Sequence, residues 1–160
     1  MVTRRQAREW AVMMLCECDL NPPDSLDAAL AAFWEFQEDV ERNSLDAKEF
    51  GVKKAFCGHG AKNAVSLIEM KEFAEVRVAG VLGALQEIDG ILVELLDNWD
   101  LYRLGTVERA VLRMGIWEMK WSDVPKPVVI NEAIDLANWF STPKSRTLIN
   151  AVLDKYGKRG

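Results

Sequence analysis

The sequence predicts an all-α protein of about six or seven helices, and three observations point to this fold class. Apolar residues recur at helical spacing through most of the 160-residue chain. No segment of strand length alternates β-branched with polar residues between hairpin signals. The breaks between apolar stretches contain prolines, glycines and helix-capping residues, where helices would have to end. Because the length is that of one domain, we expect a single domain over residues 1–160.

Two helices are predicted at the start of the chain. Thr3, followed three residues later by Gln6, forms a capping box that opens a helix to about Leu20. An Asn-Pro-Pro sequence then stops this helix. Asp24 or Ser25 caps the second helix, whose apolar residues continue at helical spacing.

The middle of the chain has a less regular pattern. Glycines interrupt residues 43–62, and we expect a short helix there and then a loop around His59. From about Ser66 to Asp97 the apolar residues form one long helical stripe, which ends at the turn Asn98-Trp99-Asp100.

Three further helices are predicted after that turn. Thr106 caps a helix over residues 107–121 that is apolar on most of its circumference and should therefore be the central buried helix. Pro127 suits the first turn of the next helix. Thr142-Pro143 starts the last helix, which Gly157 ends.

Composition and charge exclude several classes of protein. Hydrophobic residues make up 49% of the chain and charged residues 28%, as in ordinary globular proteins. No apolar run approaches the roughly 20 residues of a membrane span, and no secretory signal is evident, so we expect a soluble cytoplasmic protein that does not bind membranes. The net charge of −5 weighs against a polyanionic partner. Residues 143–160 nevertheless carry five basic side chains against one acidic, which leaves a local polyanion site open.

Residues that could support catalysis or bind a metal are sparse. His59 is the only histidine, and the chain has no glycine-rich phosphate-binding motif, so an enzyme is not expected and a hydrolase using His59 is the weakest alternative. Cys16, Cys18, Cys57 and His59 could together supply four zinc ligands. The one-residue spacing within each pair is too short for a zinc knuckle. We therefore expect reduced thiols, no metal and no cofactor.

The first helical turn is rich in arginine. Arg4, Arg5 and Arg8 fall within about 100° of arc around the helix axis. Cations at this end oppose the helix macrodipole, so helix stability does not explain them. Arginine binds phosphate through planar paired donors and stacks on bases, which suits single-stranded RNA. A solvated basic turn remains the alternative.

Two further patterns are interpreted as structural. Arg109, Arg113 and Lys120 fall within about 40° of arc and are expected to form the solvent-facing edge of the helix over residues 107–121. Most of the six tryptophans are assigned to packing. Trp10, next to the arginine turn, is the expected exception.

Several segments of the chain resemble the NusB family of bacterial transcription antitermination factors. The most specific is I-N-E-A-I-D-L-A from Ile130, followed by N-A-V-L-D-K from Asn150. The others are the R-R-x-A-R-E-x-A-V opening at Arg4–Val12, Asn98–Leu104 and Val107–Arg113. The resemblance implies an all-α fold of two small helical bundles and a role without catalysis.

The resemblance also implies partners. NusB proteins pair with NusE, a small-subunit ribosomal protein, and the pair binds the single-stranded boxA element of nascent RNA. This antitermination complex makes RNA polymerase resistant to termination, chiefly while ribosomal RNA is transcribed. By position, the family's RNA-binding residues correspond to Arg4, Arg5, Arg8 and, in the turn before the last helix, Lys144, Ser145 and Arg146. Glu108 corresponds to the acidic residue on the NusE-facing side.

The sequence departs from the family pattern at a few positions and leaves alternatives open. Lys144 stands where some relatives have an acidic residue, and Cys16 where the family often has an aromatic. Residues 43–70 match no family motif. A protein-binding adaptor of the same fold, without RNA affinity, remains an alternative, as does a ribosome-assembly factor. A homodimer of this chain when NusE is absent is a further alternative.

Overall fold

The all-α prediction is confirmed by the structure, a computed structural model that describes residues 3–42, 64–140 and 143–159. These residues form seven α-helices and one short 3₁₀ helix, with no strand among them. The α-helices are α1 (Arg4–Leu20), α2 (Leu26–Arg42), α3 (Ala64–Gly83), α4 (Leu85–Leu95), α5 (Thr106–Trp121), α6 (Lys126–Phe140) and α7 (Pro143–Gly157). The 3₁₀ helix is Leu101–Arg103. The helix and loop expected over residues 43–62 lie outside the described residues.

The chain divides into two compact units, the first ending at Val76 and the second beginning at Arg77. The boundary falls inside α3. The single domain expected over residues 1–160 stays a prediction. Within the described ranges, no helix combines the length and the hydropathy that crossing a bilayer requires.

The first two helices of the chain begin at side-chain caps. Thr3 Oγ1 accepts a hydrogen bond from Gln6 N at 3.2 Å, and Gln6 Oε1 accepts one from Thr3 N at 3.0 Å, which completes the predicted capping box. Ser25 Oγ accepts from Ala28 N at 3.3 Å, so Ser25 rather than Asp24 supplies a capping bond to α2. Local sequence signals therefore placed both helix starts correctly.

Trp10 packs in the core of the first unit, so the expectation that it would be the exposed tryptophan is wrong. Its side chain is 3% exposed, and its ring meets that of Trp34 edge-on at a centroid distance of 5.2 Å. Trp10 lies with Ala7 and Ala11 on the buried face of α1. The position of Trp10 close to the arginines in sequence did not reveal this burial. Trp34 also donates from Nε1 to Glu75 at 2.6 Å.

The second unit is built around α5, as its all-round apolar pattern predicts. This helix contacts α4, α6 and α7, and its side chains Val111, Leu112 and Ile116 are fully buried. Gly115 lets α7 approach closely, because a Cβ there would lie 2.9 Å from a methyl group of Leu153. The central helix thus packs through branched apolar side chains and, at Gly115, through a close approach that leaves little room for a side chain.

Two predicted helix boundaries differ from the structure. The single stripe expected over residues 66–97 is two helices, α3 and α4, separated at Ala84. Gly83 weakens the helix there, while buried residues continue at helical spacing on both sides and so hid the break. The N-cap of α5 is Gly105, and Thr106 is the first residue of the helix rather than its cap.

The basic line on α5 is a solvent-facing edge only in part, since Lys120 is exposed, Arg109 is half-buried and Arg113 is buried. Arg113 is 5% exposed and donates two hydrogen bonds to the Asp89 carboxylate on α4, at 2.8 and 2.9 Å. Lys120 forms a salt bridge with Glu87, also on α4, and Arg109 donates to the Leu104 carbonyl. The spacing correctly placed Arg113 and Lys120 on one face of α5. It could not show that acidic residues of α4 lie against that face, because α4 is distant in sequence.

We expect Gly80→Ala to destabilise the protein by about 1–3 kcal/mol, although alanine is a better helix former than glycine. A Cβ at Gly80 would overlap the indole of Trp117. Gly90 on α4 has no atom within 4 Å of such a Cβ, so Gly90→Ala is a matched control that should stabilise by about 0.5–1 kcal/mol. Urea unfolding of both variants measures the difference. Stabilisation by both changes would contradict the close packing of α3 against Trp117.

Candidate nucleic-acid and partner interface

The three arginines of the first turn of α1 occupy different environments. Arg4 and Arg5 are exposed. Arg8 is 4% exposed, and its guanidinium carbon lies 5.1 Å from the ring centroid of Phe73, a cation–π arrangement. The structure therefore presents two of the three predicted RNA-binding arginines at the surface and packs the third against an aromatic ring.

The second predicted RNA-binding segment is the first turn of α7, not a turn before it. The helix begins at Pro143, which suits a first helical position because it lacks an N–H group. Lys144 is exposed, Arg146 is half-buried and Ser145 is only 9% exposed. As on α1, cations stand at a helix end where the macrodipole disfavours them.

Glu108 and Ser145, for which the sequence indicated different partners, are in direct contact. Ser145 Oγ lies 2.5 Å from Glu108 Oε1 and donates a hydrogen bond to it. Glu108 belongs to the first turn of α5, where the macrodipole favours a negative charge. The first turns of two helices are thus joined by side chains 37 residues apart, a pairing that sequence reasoning missed.

One groove of the second unit brings the predicted partner residue together with a predicted RNA residue. Its volume is about 730 Å³, and Trp99, Arg103, Glu108, Lys144 and Leu148 are among its lining residues. Its lining thus combines a carboxylate, two cations and apolar surface. Such a groove can accept a partner that offers both apolar and charged groups.

The groove also contains Trp99, a tryptophan that was expected to pack in the core. Trp99 is 60% exposed. Its backbone is held by a hydrogen bond from Trp99 N to the Leu96 carbonyl at 3.1 Å, and the next residue, Asp100, accepts from Tyr102 N at 2.9 Å. The polar neighbours Asn98 and Asp100 were the one available signal that this indole lies in a surface turn.

The described residues offer no assembled metal site. No group of three or more His, Cys, Asp or Glu side chains among them could hold a metal ion. Cys57 and His59, the other half of the weighed zinc set, lie outside the described residues. Burial raises the pKa of the Cys18 thiol, with Glu17 adding to the effect, so this thiol stays protonated at neutral pH.

Comparison with known proteins places this chain among antitermination factors. The NusB family model matches residues 5–158. The chain is 33% identical to transcription antitermination protein NusB of Nitratiruptor sp. over 158 residues, which cover 99% of this chain and 94% of that protein. It is 32% identical to the same protein of Syntrophotalea carbinolica over 159 residues, with 97% and 92% covered.

Solved structures agree with these sequence matches. NusB of T. maritima superimposes with a TM-score of 0.72 at 25% identity, covering 99% of this chain and 94% of that one. A crystal structure of the antitermination factors NusB and NusE in complex with dsRNA matches with a TM-score of 0.69 at 25% identity, covering 98% and 97%.

Fold and sequence together define a non-enzymatic, all-α transcription factor that acts in antitermination. The chain belongs to the NusB family. This membership confirms the predicted family and the prediction that the protein is not an enzyme.

Proposed function

We propose that this antitermination factor binds single-stranded RNA of the boxA type as a heterodimer with NusE, and that the complex helps RNA polymerase resist termination during transcription of ribosomal RNA. One observation carries the proposal: Glu108 and Lys144 line the same groove. The similarity in fold to a NusB that was crystallised with NusE and dsRNA supports it.

The partner side of the proposal rests on the groove. The Glu108 carboxylate is held by Ser145, the Trp99 indole is exposed beside it, and Leu148 supplies apolar wall. An exposed tryptophan and a fixed carboxylate suit a protein that presents an apolar segment and a basic side chain. NusE is the proposed occupant.

The RNA side rests on cations of both units, three of them exposed and one, Arg146, half-buried. Arg4 and Arg5 present guanidinium groups from α1, while Lys144 and Arg146 extend from the first turn of α7. We assign these four side chains to the RNA backbone, since phosphate contacts come mainly from arginine and lysine. For Arg8, whose guanidinium carbon lies 5.1 Å from the Phe73 ring centroid, we propose that it holds the first turn of α1 and does not contact a phosphate.

The RNA assignment makes a prediction about salt. Arg4→Ala and Arg5→Ala should each make the slope of log K against log salt shallower by about 0.7, the value for one single-strand phosphate contact. Arg8→Ala should leave this slope unchanged and instead lower thermal stability, because its guanidinium is buried over Phe73. Fluorescence anisotropy of a labelled boxA-type RNA at several salt concentrations measures the slopes. If all three variants change the slope equally, Arg8 also contacts an RNA phosphate.

The same anisotropy titration with and without NusE tests the proposed function. We expect tighter RNA binding when NusE is present. The alternative of a protein-binding adaptor is favoured by the net charge of −5 and by the carboxylate in the groove. Binding of NusE with no RNA affinity in either condition would establish the adaptor and exclude the proposed RNA role.

A further inference from the structure

We infer that Ser145 is a positioning residue, which fixes the Glu108 carboxylate and thereby couples the partner-binding groove to the RNA-binding turn of α7. The inference rests on the proposed function for the identity of the two ligands. It departs from the sequence-based expectation that Ser145 itself contacts RNA.

Ser145 is more deeply buried than the residues on either side of it in the sequence. Lys144 is exposed and Arg146 is half-buried, whereas Ser145 is 9% exposed. Its hydroxyl donates to Glu108 Oε1 at 2.5 Å, the short distance typical of a hydroxyl bonded to an ionised carboxylate. The hydroxyl is thus directed at α5 and is engaged there before any RNA arrives.

The second oxygen of the Glu108 carboxylate lies next to Gly105, where the chain has no side chain. A Cβ added at Gly105, the N-cap of α5, would overlap Glu108 Oε2. The hydrogen bond from Ser145 therefore fixes Oε1, while Oε2 occupies the space that the absence of a side chain at Gly105 leaves open. A side chain held in this way loses less rotamer freedom when a partner binds, which raises affinity without adding any contact.

The same hydrogen bond links the two binding surfaces. It joins the third residue of α5 to the third residue of α7, and Lys144 and Arg146 flank Ser145 in the chain. A partner that binds the Glu108 carboxylate therefore also restrains the first turn of α7, which carries Lys144 and Arg146. Restraining that turn favours RNA binding, and by reciprocity bound RNA favours the partner to the same extent.

The test measures the dissociation constant of a labelled boxA-type RNA with and without NusE, and that of NusE alone, for the wild type and for Ser145→Ala and Ser145→Thr. In Ser145→Ala we expect RNA affinity without NusE to stay within about twofold of the wild type. NusE affinity, and the gain in RNA affinity that NusE produces, should each fall roughly five- to tenfold. Ser145→Thr retains the hydroxyl and should restore both.

Two variants separate positioning from direct contact and from general loss of a hydroxyl. Arg146→Ala removes a proposed direct contact from a residue that does not line the groove, so it should weaken RNA binding by the same factor with and without NusE. Ser122→Ala removes a half-buried hydroxyl that donates to the Glu118 carbonyl at 2.6 Å outside the groove, and it should leave the coupling unchanged.

Two results of this titration with Ser145→Ala would contradict the proposed positioning role. A loss of RNA affinity by one factor in both conditions would make Ser145 an RNA contact. Unchanged coupling would show that the hydrogen bond does not link the sites.

A readout on the free protein keeps the positioning claim separate from the proposed function. In NMR spectra the two Hγ protons of Glu108 should be resolved in the wild type, where the side chain is fixed, and averaged in Ser145→Ala. Averaging already in the wild type would overturn positioning. Failure of the wild type to bind NusE would instead overturn the proposed function, with the NMR result still deciding the role of Ser145.

Discussion

Glu108→Lys is expected to weaken NusE binding by at least about a hundredfold, and Glu108→Gln by about tenfold. Truncating or reversing one member of a buried, hydrogen-bonded charge pair at an interface costs on the order of 2–5 kcal/mol. A lysine at this position would also place a third cation in a groove already lined by Arg103 and Lys144. Glutamine keeps the shape and the acceptor for Ser145 but loses the charge. Isothermal titration calorimetry with NusE measures both variants.

The control for this prediction makes the same charge change elsewhere. Glu35 is an exposed acid on α2 that does not line the groove, so Glu35→Lys should bind NusE as tightly as the wild type does. Circular dichroism establishes that each variant remains helical. Wild-type affinity in Glu108→Lys would show that the groove is not where NusE docks.

Elements of this fold that depend on local signals could be predicted from the sequence. The capping box of Thr3 and Gln6 and the cap at Ser25 lie within three residues of the groups they bind, so the pattern contained both partners. The all-round apolar character of α5 likewise identified the central helix. The break at Ala84 carried no such signal, because buried residues on both sides kept one helical spacing.

The candidate site was predicted residue by residue but not as an arrangement. Residue type and helical spacing placed Arg4, Arg5 and Arg8 near one another, yet burial of the third depends on Phe73, far along the chain. The bond between Ser145 and Glu108 is likewise a tertiary contact. Periodicity shows which face of a helix a residue occupies, whereas only the packed structure shows what covers that face.

The second large effect is expected in the second unit, where a charged pair is buried. Arg77 Nε lies 3.5 Å from Glu118 Oε1, and the two side chains are 7% and 2% exposed. The Arg77 guanidinium carbon also lies 5.5 Å from the centroid of the Trp117 ring. Removing one member of such a pair leaves the other charge buried in low dielectric.

Glu118→Leu should therefore destabilise the protein by about 3–5 kcal/mol, which for a chain of this length lowers the melting temperature by roughly 6–20 °C. Glu94→Leu is the matched control. It makes the same substitution in the pair with Arg159, where the side chains are 66% and 43% exposed, and should leave stability unchanged within error. Urea unfolding followed by circular dichroism measures both variants.

The double variant Arg77→Met/Glu118→Leu identifies the cause of that loss. If the cost of Glu118→Leu arises from the buried guanidinium left behind, removing the guanidinium as well should recover most of the lost stability, because apolar side chains of similar volume need no charge partner. We expect the wild type and the double variant to have similar free energies of unfolding, and Glu118→Leu to have a much lower one. A double variant no more stable than Glu118→Leu would mean that the loss comes from disrupted packing around Trp117, and that the ion pair does not determine the stability of this unit.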